Sequence, residues 1–206
     1  MNIKTKPMVT IITPTYKRKL SIVQRSIDCV RAQTFQDWRH VICSDGIWED
    51  EVNKLVQKEA DPRRGYCRTE KRHGDYGSCV RQEVMANDWY YDSKYVCFFD
   101  DDNIILPTYL EKMVEALEST ENDEQFAICP IMHFGPLPRC WGEPPILLHG
   151  EPKLYHIDTL QVMVTAEAIK DIGWKDEGYC SDGHTFEALG EKYAHVKVTE
   201  CLGVHL

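Results

Sequence analysis

The chain has 206 residues, 43% hydrophobic and 28% charged, a balance that supports a packed globular core and favours one domain. Its net charge of −9 argues against a nucleic-acid binder, which needs a basic face to neutralise phosphates. No apolar run is long enough to span a bilayer, and Met1–Pro7 lacks the apolar stretch of a signal peptide. The nine cysteines are odd in number and contain no Cys-x-x-Cys pair. Cys43, Cys97 and Cys129 fall in apolar strand-like runs and Cys29 and Cys79 in helical ones. They read as small buried hydrophobes in a reducing compartment, so a cytoplasmic location is expected, one compatible with attachment to a membrane surface.

In chain order, Met8–Thr13 is a β-branched run closed by Pro14, hence a first strand. Lys19–Gln33 carries Leu20, Ile22, Val23, Ile27 and Val30 largely at helical spacing. Trp38–Ser44 is a second strand ending at the turn signal Asp45-Gly46. Glu49–Ala60 reads as a short charged helix, Gly65–Arg72 as a third strand, and Gly77–Tyr91 as a helix with Val80, Val84 and Met85 on its core face. Tyr95–Phe99 is an uninterrupted apolar run, the pattern of a strand buried on both faces. A helix is expected from Pro107 to Ser119. This alternation of strand and helix predicts βαβ units and a mostly parallel central sheet flanked by helices.

Beyond Asn122 the rhythm changes. Phe126–Phe134 reads as one strand, and Gly135–Pro152, rich in Gly and Pro, as a long loop of the kind that is functional or mobile. Thr159–Val164 predicts a further strand, Ala166–Ile172 a short helix, Ser181–Ala194 a helix with a Ser N-cap, and His195–Leu202 a final strand. The expected organisation is one domain over 1–206. The change of rhythm divides it into a first part, 1–120, and a smaller second part, 121–206.

The chemically distinctive stretch is Asp100-Asp101-Asp102, directly after the buried strand. Open α/β sheets bind ligands at the carboxyl ends of their strands. Adjacent carboxylates repel, so the cluster costs free energy unless a cation neutralises it. Oxygen ligands suit a hard divalent ion such as Mn²⁺ or Mg²⁺. The plain alternative is a solvated acidic turn ahead of a helix.

The run Val9–Arg18, the helix-to-strand stretch Ser26–Trp38 with Gln33-Thr34-Phe35-Gln36-Asp37-Trp38, the strand end Ser44-Asp45-Gly46 and the acidic stretch Phe98–Leu106 follow one another in an order that resembles the family 2 glycosyltransferases. The similarity is good over roughly the first 120 residues and looser beyond. It implies a GT-A fold, with 1–120 as the nucleotide-binding part and 121–206 as the part for catalysis and the acceptor, and metal-dependent, inverting transfer of a sugar from a nucleotide-sugar donor to an acceptor hydroxyl. Asp45 would accept from the uracil N–H of a UDP-sugar, and Tyr16 would stack on the base. Thr13, Pro14 and Thr15, with Arg18 in the same loop, would contact the donor. Arg81 would reach the phosphates or the sugar, although Gln82 stands where the family frequently has Asn. Asp100 or Asp101 would meet the ribose, and Asp102 and His205 would hold Mn²⁺ or Mg²⁺. Asp182 matches the second carboxylate of the family's Glu-Asp pair and would be the general base; Ser181 replaces the first. Asp176 and Glu177 are fallback bases, and His184 is a candidate acceptor contact.

Three other classes compete. A sugar-phosphate nucleotidyltransferase would carry a Gly-rich phosphate loop after the first strand, as would a Rossmann dehydrogenase, but Pro14–Arg18 contains no glycine. A sugar-nucleotide-binding module without turnover would not need both the Asp triplet and Asp182. The partners expected are a nucleotide-sugar donor and an acceptor that is a glycan, a lipid-linked molecule or a protein, since one scaffold hosts many specificities.

Overall fold

The computed structural model describes residues 6–87, 92–119, 123–135, 143–175 and 178–206. Strand β1 (Val9–Thr15) lies in the interior of the large sheet, paired in parallel with β2 (Trp38–Ser44) on one side and β4 (Tyr95–Phe98) on the other. β3 (Arg64–Arg68) extends the parallel set beyond β2. The connections run through α1 (Leu20–Arg31), α2 (Asp50–Gln57) and α3 (Ser78–Ala86), as the alternating pattern predicts; the end of the expected third helix, 88–91, lies outside the described residues.

The pleat divides the core by parity. Ile11, Cys97 and Phe99 pack into one cluster with α4 (Tyr109–Glu118), and Ile12, Val96 and Phe98 into the other with Val80 and Val84 of α3. Alternate residues of a strand point to opposite faces, so a strand covered on both sides must be apolar throughout. Phe98 and Phe99 are each 1% exposed, and burying a side chain of this size contributes about 1.5–3 kcal/mol. Phe98 also meets the Trp174 ring edge-on at 4.6 Å. The residues before the Asp triplet are thus clamped from both faces.

The second half departs from the parallel pattern. β9 (Val162–Thr165) inserts antiparallel between β4 and β6 (Phe126–Ile128), and β10 (His195–Lys197) runs parallel to β6 at the edge. The sheet order is β10-β6-β9-β4-β1-β2-β3. The run expected as one strand over Phe126–Phe134 is two: Pro130, which has no N–H for a ladder, separates β6 from β7 (Ile131–His133) in a second sheet. Likewise β10 is followed by β11 (Gly203–His205), past the expected end at Leu202. β6 and β10, then β7 and β11, pair in parallel, so the two chain segments cross from one sheet to the other together. The second sheet has the order β5-β11-β7-β8, with β5 at Ile104–Ile105 and β8 at Ile146–Leu148. β8 sits within the stretch expected to be loop. α5 (Ala166–Ile172) matches expectation. α6 (Ser181–Lys192) begins with Cys180 as its N-cap and no side-chain cap, so Ser181 does not cap it.

Candidate active site

The carboxyl ends of β1, β2 and β4 open on a cleft with two lobes. One, about 480 Å³, is lined by Pro14, Thr15, Tyr16, Arg18, Asp45 and Asp100–Asp102. The other, about 140 Å³, is lined by Arg81, Asp158, Thr159 and Asp182. Tyr76, Asp100, Tyr179 and His205 line both, so the lobes meet at these four residues.

The acidic turn is braced from β1 and α1. Thr15 donates its hydroxyl to Asp101 Oδ2 at 2.7 Å, and Arg18 Nε donates to Asp101 Oδ1 at 2.9 Å. Arg18 Nη2 reaches Asp102 Oδ2 at 2.6 Å, and Arg25 donates to the Asp102 carbonyl at 2.6 Å. Asp101 is 2% exposed, and burial pushes its carboxyl up to about 6 despite Thr15 and Arg18. Burial also raises Asp100, whose partner is Arg81. Arg81 is 3% exposed, lies 5.0 Å from the Trp174 ring centroid and donates to the Tyr76 carbonyl. Gly77 makes this placement possible: at φ +83° a Cβ there would lie 2.8 Å from Pro14 Cβ, so only glycine lets α3 start so close to β1.

Asp45 lies at the far end of the larger lobe. Its two oxygens accept from the backbone N–H groups of His73 and Gly74, each at 2.8 Å. Gly46 (φ +73°) permits this wrap, since a Cβ would fall 2.2 Å from Arg72 N. Arg72 lies 4.4 Å from the Tyr16 ring centroid, so one face of Tyr16 already carries a guanidinium. Thr13 stands apart from the other expected donor residues. Its hydroxyl pairs with His40 Nε2 at 2.9 Å inside the sheet. It sits two residues, roughly 7 Å, behind the strand's edge, and it lines neither lobe of the cleft.

In the smaller lobe, Thr159 donates to Asp182 Oδ2 at 3.1 Å and the Gly183 N–H donates to Asp182 Oδ1 at 2.8 Å. Burial, reinforced by the nearby Asp158 charge, pushes the Asp182 carboxyl up to about 6. His184 lines neither lobe, and Asp176 and Glu177 lie outside the described residues.

Among the described residues, His133, Asp158 and His205 form a group whose potential ligand atoms lie within 4.8 Å of one another. His205 and His133 face each other in register across β11 and β7, with rings stacked at 4.0 Å. Asp158 caps the 3₁₀ turn Thr159–Gln161 and meets His205 Nδ1 at 2.8 Å. Asp102 and His205, expected to share a metal, both line the larger lobe, but Asp102 is held by Arg18 and is not in this group. Sequence reasoning missed Asp158, His133, Tyr76 and Tyr179. The Asp158-x-x-Gln161 spacing is a capping signature, and it carries no hint of the histidines.

The family described as glycosyl transferase family 2 matches residues 10–146, from the second residue of β1 to the first of β8, and the chain belongs to that family. Among curated relatives, an uncharacterized glycosyltransferase of Methanocaldococcus jannaschii is 24% identical over 119 residues, 57% of this chain and 39% of that protein. A bifunctional glycosyltransferase of Dictyostelium discoideum is 29% identical over 111 residues, 53% of this chain and 14% of that protein. The chain thus spans well under half the length of these relatives. The fold is GT-A. S. aureus TarS (residues 1–349), solved with UDP-GlcNAc, superposes with a TM-score of 0.71 at 15% identity, covering 96% of this chain and 58% of that one. The mannosyltransferase PcManGT from Pyrobaculum calidifontis, solved with GDP-Man and Mn²⁺, gives 0.70 at 15% identity over 98% and 57%. No helix among the described residues is long and apolar enough to cross a membrane.

Proposed function

We propose that the chain carries out metal-dependent, inverting transfer of a sugar from a nucleotide-sugar donor, a UDP-sugar, to an acceptor hydroxyl, as one catalytic domain working in the cytoplasm. The observation that carries this reading is the meeting of the two lobes at Asp100 and His205. A donor held against β1, β2 and β4 would present its anomeric carbon toward Asp182.

The larger lobe is the donor site. Asp45 accepts from the uracil N–H with lone pairs left by His73 and Gly74, since each carboxylate oxygen can accept more than once. Tyr16 contributes the face not covered by Arg72, Pro14 and Thr15 line the approach, and Arg81 serves the phosphates or sugar. Asp100 or Asp101 meets the ribose.

The donor set suits a divalent cation. Asp100, Asp101, Asp102, Asp158 and Asp182 crowd into one cleft, and burial raises three of them, a surplus of negative charge that a cation relieves. Asp102 and His205 would hold Mn²⁺ or Mg²⁺, with Asp158 orienting the imidazole of His205. Bound there, the ion supplies positive charge for the departing diphosphate.

Asp182 takes the acceptor hydroxyl's proton as the new glycosidic bond forms. Its raised proton affinity suits that task near neutral pH, whereas Asp158 is spent on His205. Thr159 and Gly183 fix the carboxylate's direction. The test is release of UDP and formation of a glycoside from UDP-sugars with Mn²⁺, using an acceptor panel and the product's anomeric configuration. Turnover with GDP-sugars alone would overturn the UDP assignment, retention would overturn inversion, and binding without turnover of any nucleotide sugar would overturn the enzymatic reading.

A further inference from the structure

A second group of potential ligands lies behind the donor lobe. His73, on the loop joining β3 to α3, Asp75 two residues later and Cys79 in the first turn of α3 place one ligand atom each within 4.8 Å of one another. None of the three lines either lobe of the cleft.

Each residue is prepared in a way that metal ligation explains. His73 Nε2 lies 2.7 Å from Glu83 Oε1, leaving Nδ1 as the ring atom that can coordinate. A metal-bound imidazole characteristically gives its other N–H to a carboxylate, which fixes the tautomer and raises the basicity of the ligating nitrogen. Asp75 Oδ2 accepts from the Cys79 N–H at 2.8 Å, and this ties the second and third ligands to each other. Asp75 Oδ1 is buried and has no hydrogen-bond partner among the described residues. A buried carboxylate oxygen without a partner is costly, and a cation would remove that cost.

We infer that His73, Asp75 and Cys79 form a second cation site, separate from the cleft, that takes a zinc-class divalent ion. One nitrogen, one oxygen and one sulfur are the donors such an ion accepts at tetrahedral sites, whereas Mg²⁺ and Ca²⁺ avoid thiolate. Three protein ligands leave a fourth position for water. The consequence is mechanical: the same loop donates the His73 and Gly74 N–H groups to Asp45. An ion bridging the loop to α3 would hold the base-binding end of the donor lobe in one arrangement.

The test uses Co²⁺ as a coloured substitute for Zn²⁺. The chelator-treated chain is titrated with Co²⁺ while near-ultraviolet absorption is followed, because a cobalt–thiolate bond adds a charge-transfer band. The expected result is a saturable band that Zn²⁺ bleaches, that Cys79→Ser loses, and that Asp102→Asn and His205→Gln retain, since the cleft contributes no sulfur to its cation group. His73→Gln keeps the thiol and should weaken Co²⁺ binding at least tenfold with unchanged circular dichroism. It supplies the readout if the Cys79 variant does not fold. Absence of a thiolate band in the wild-type chain, a band of undiminished size in folded Cys79→Ser, or unchanged Co²⁺ affinity in folded His73→Gln would overturn the site. Because the readout is metal binding without donor or acceptor, its failure is separable from failure of the transferase reading.

Discussion

Asp158 Oδ2 and His205 Nδ1 meet at 2.8 Å, joining the 3₁₀ turn before β9 to the last strand of the chain. Burial acts to pull the imidazole of His205 down, but the hydrogen bond and charge of Asp158 outweigh it and hold the ring above its usual range. Asp158 in turn sits below the usual carboxylate range although burial opposes this. Each residue therefore fixes the other's charge and orientation.

If Asp158 orients a metal-binding His205, Asp158→Asn should weaken metal affinity by about 10–100-fold, the usual cost of losing such a support. Asp102→Asn should abolish the metal dependence of UDP binding. Calorimetric titration of UDP against a series of Mn²⁺ concentrations checks both. Equal UDP affinity in chelator and in Mn²⁺ for the wild-type chain would remove the metal from the site.

Asp182→Asn should lower the transfer rate by about 10²–10⁴-fold, the range for a lost general base, while leaving UDP-sugar affinity near its original value. An interaction made only in the transition state affects turnover rather than binding. Single-turnover rates alongside donor titrations separate the two effects, and an unmodified rate would dismiss Asp182.

The Asp182 carboxyl titrates near 6 in the folded chain, against about 3.9 when unfolded. The folded state therefore binds the proton more tightly between about pH 4 and 6, and this group's contribution to stability is lost as pH rises through that window. At pH 7.5 Asp182→Asn should consequently raise stability by about 1–3 kcal/mol, and the gain should shrink toward pH 4. Thermal melts of both chains at the two pH values check the sign. For catalysis the direction reverses, because the base must be ionised: kcat/KM should fall as pH drops below about 6.

UDP should bind about tenfold or more tightly than CDP if Asp45 accepts from the uracil N–H, since a hydrogen bond to a charged group is worth roughly 1.5–3 kcal/mol and cytosine has no proton at that nitrogen. Competition binding of the two nucleotides measures the ratio. Asp45→Asn should compress it, and the ratio is the informative number because the same substitution loosens the His73–Gly74 loop.

The local patterns in the first half were legible because they are short-range. A strand buried on both faces must be apolar throughout, as Tyr95–Phe99 is, and a helix packed on one face must repeat near 3.6, as Leu20–Arg31 does. The strand ends then bring Thr15, Asp45 and the Asp triplet to one edge with no further information, because parallel strands joined by crossovers all point the same way. Thr13 was the exception there: pattern marks the strand, whereas its edge, and so which hydroxyls emerge from it, depends on the register against neighbouring strands.

What only the tertiary structure decided lies at large sequence separation. Pro130 breaks a run that reads as one strand, and the second sheet is assembled from two- and three-residue pieces too short to carry a period. The register of β11 against β7 places His205 over His133, and the capping of a 3₁₀ turn delivers Asp158 to both histidines. Nothing local encodes these meetings, since each depends on two segments crossing together from one sheet to the other. The charge on Asp182 followed the same logic: its residue type and helix-start position were visible in the chain, but its raised proton affinity comes from burial beside Asp158, 24 residues earlier.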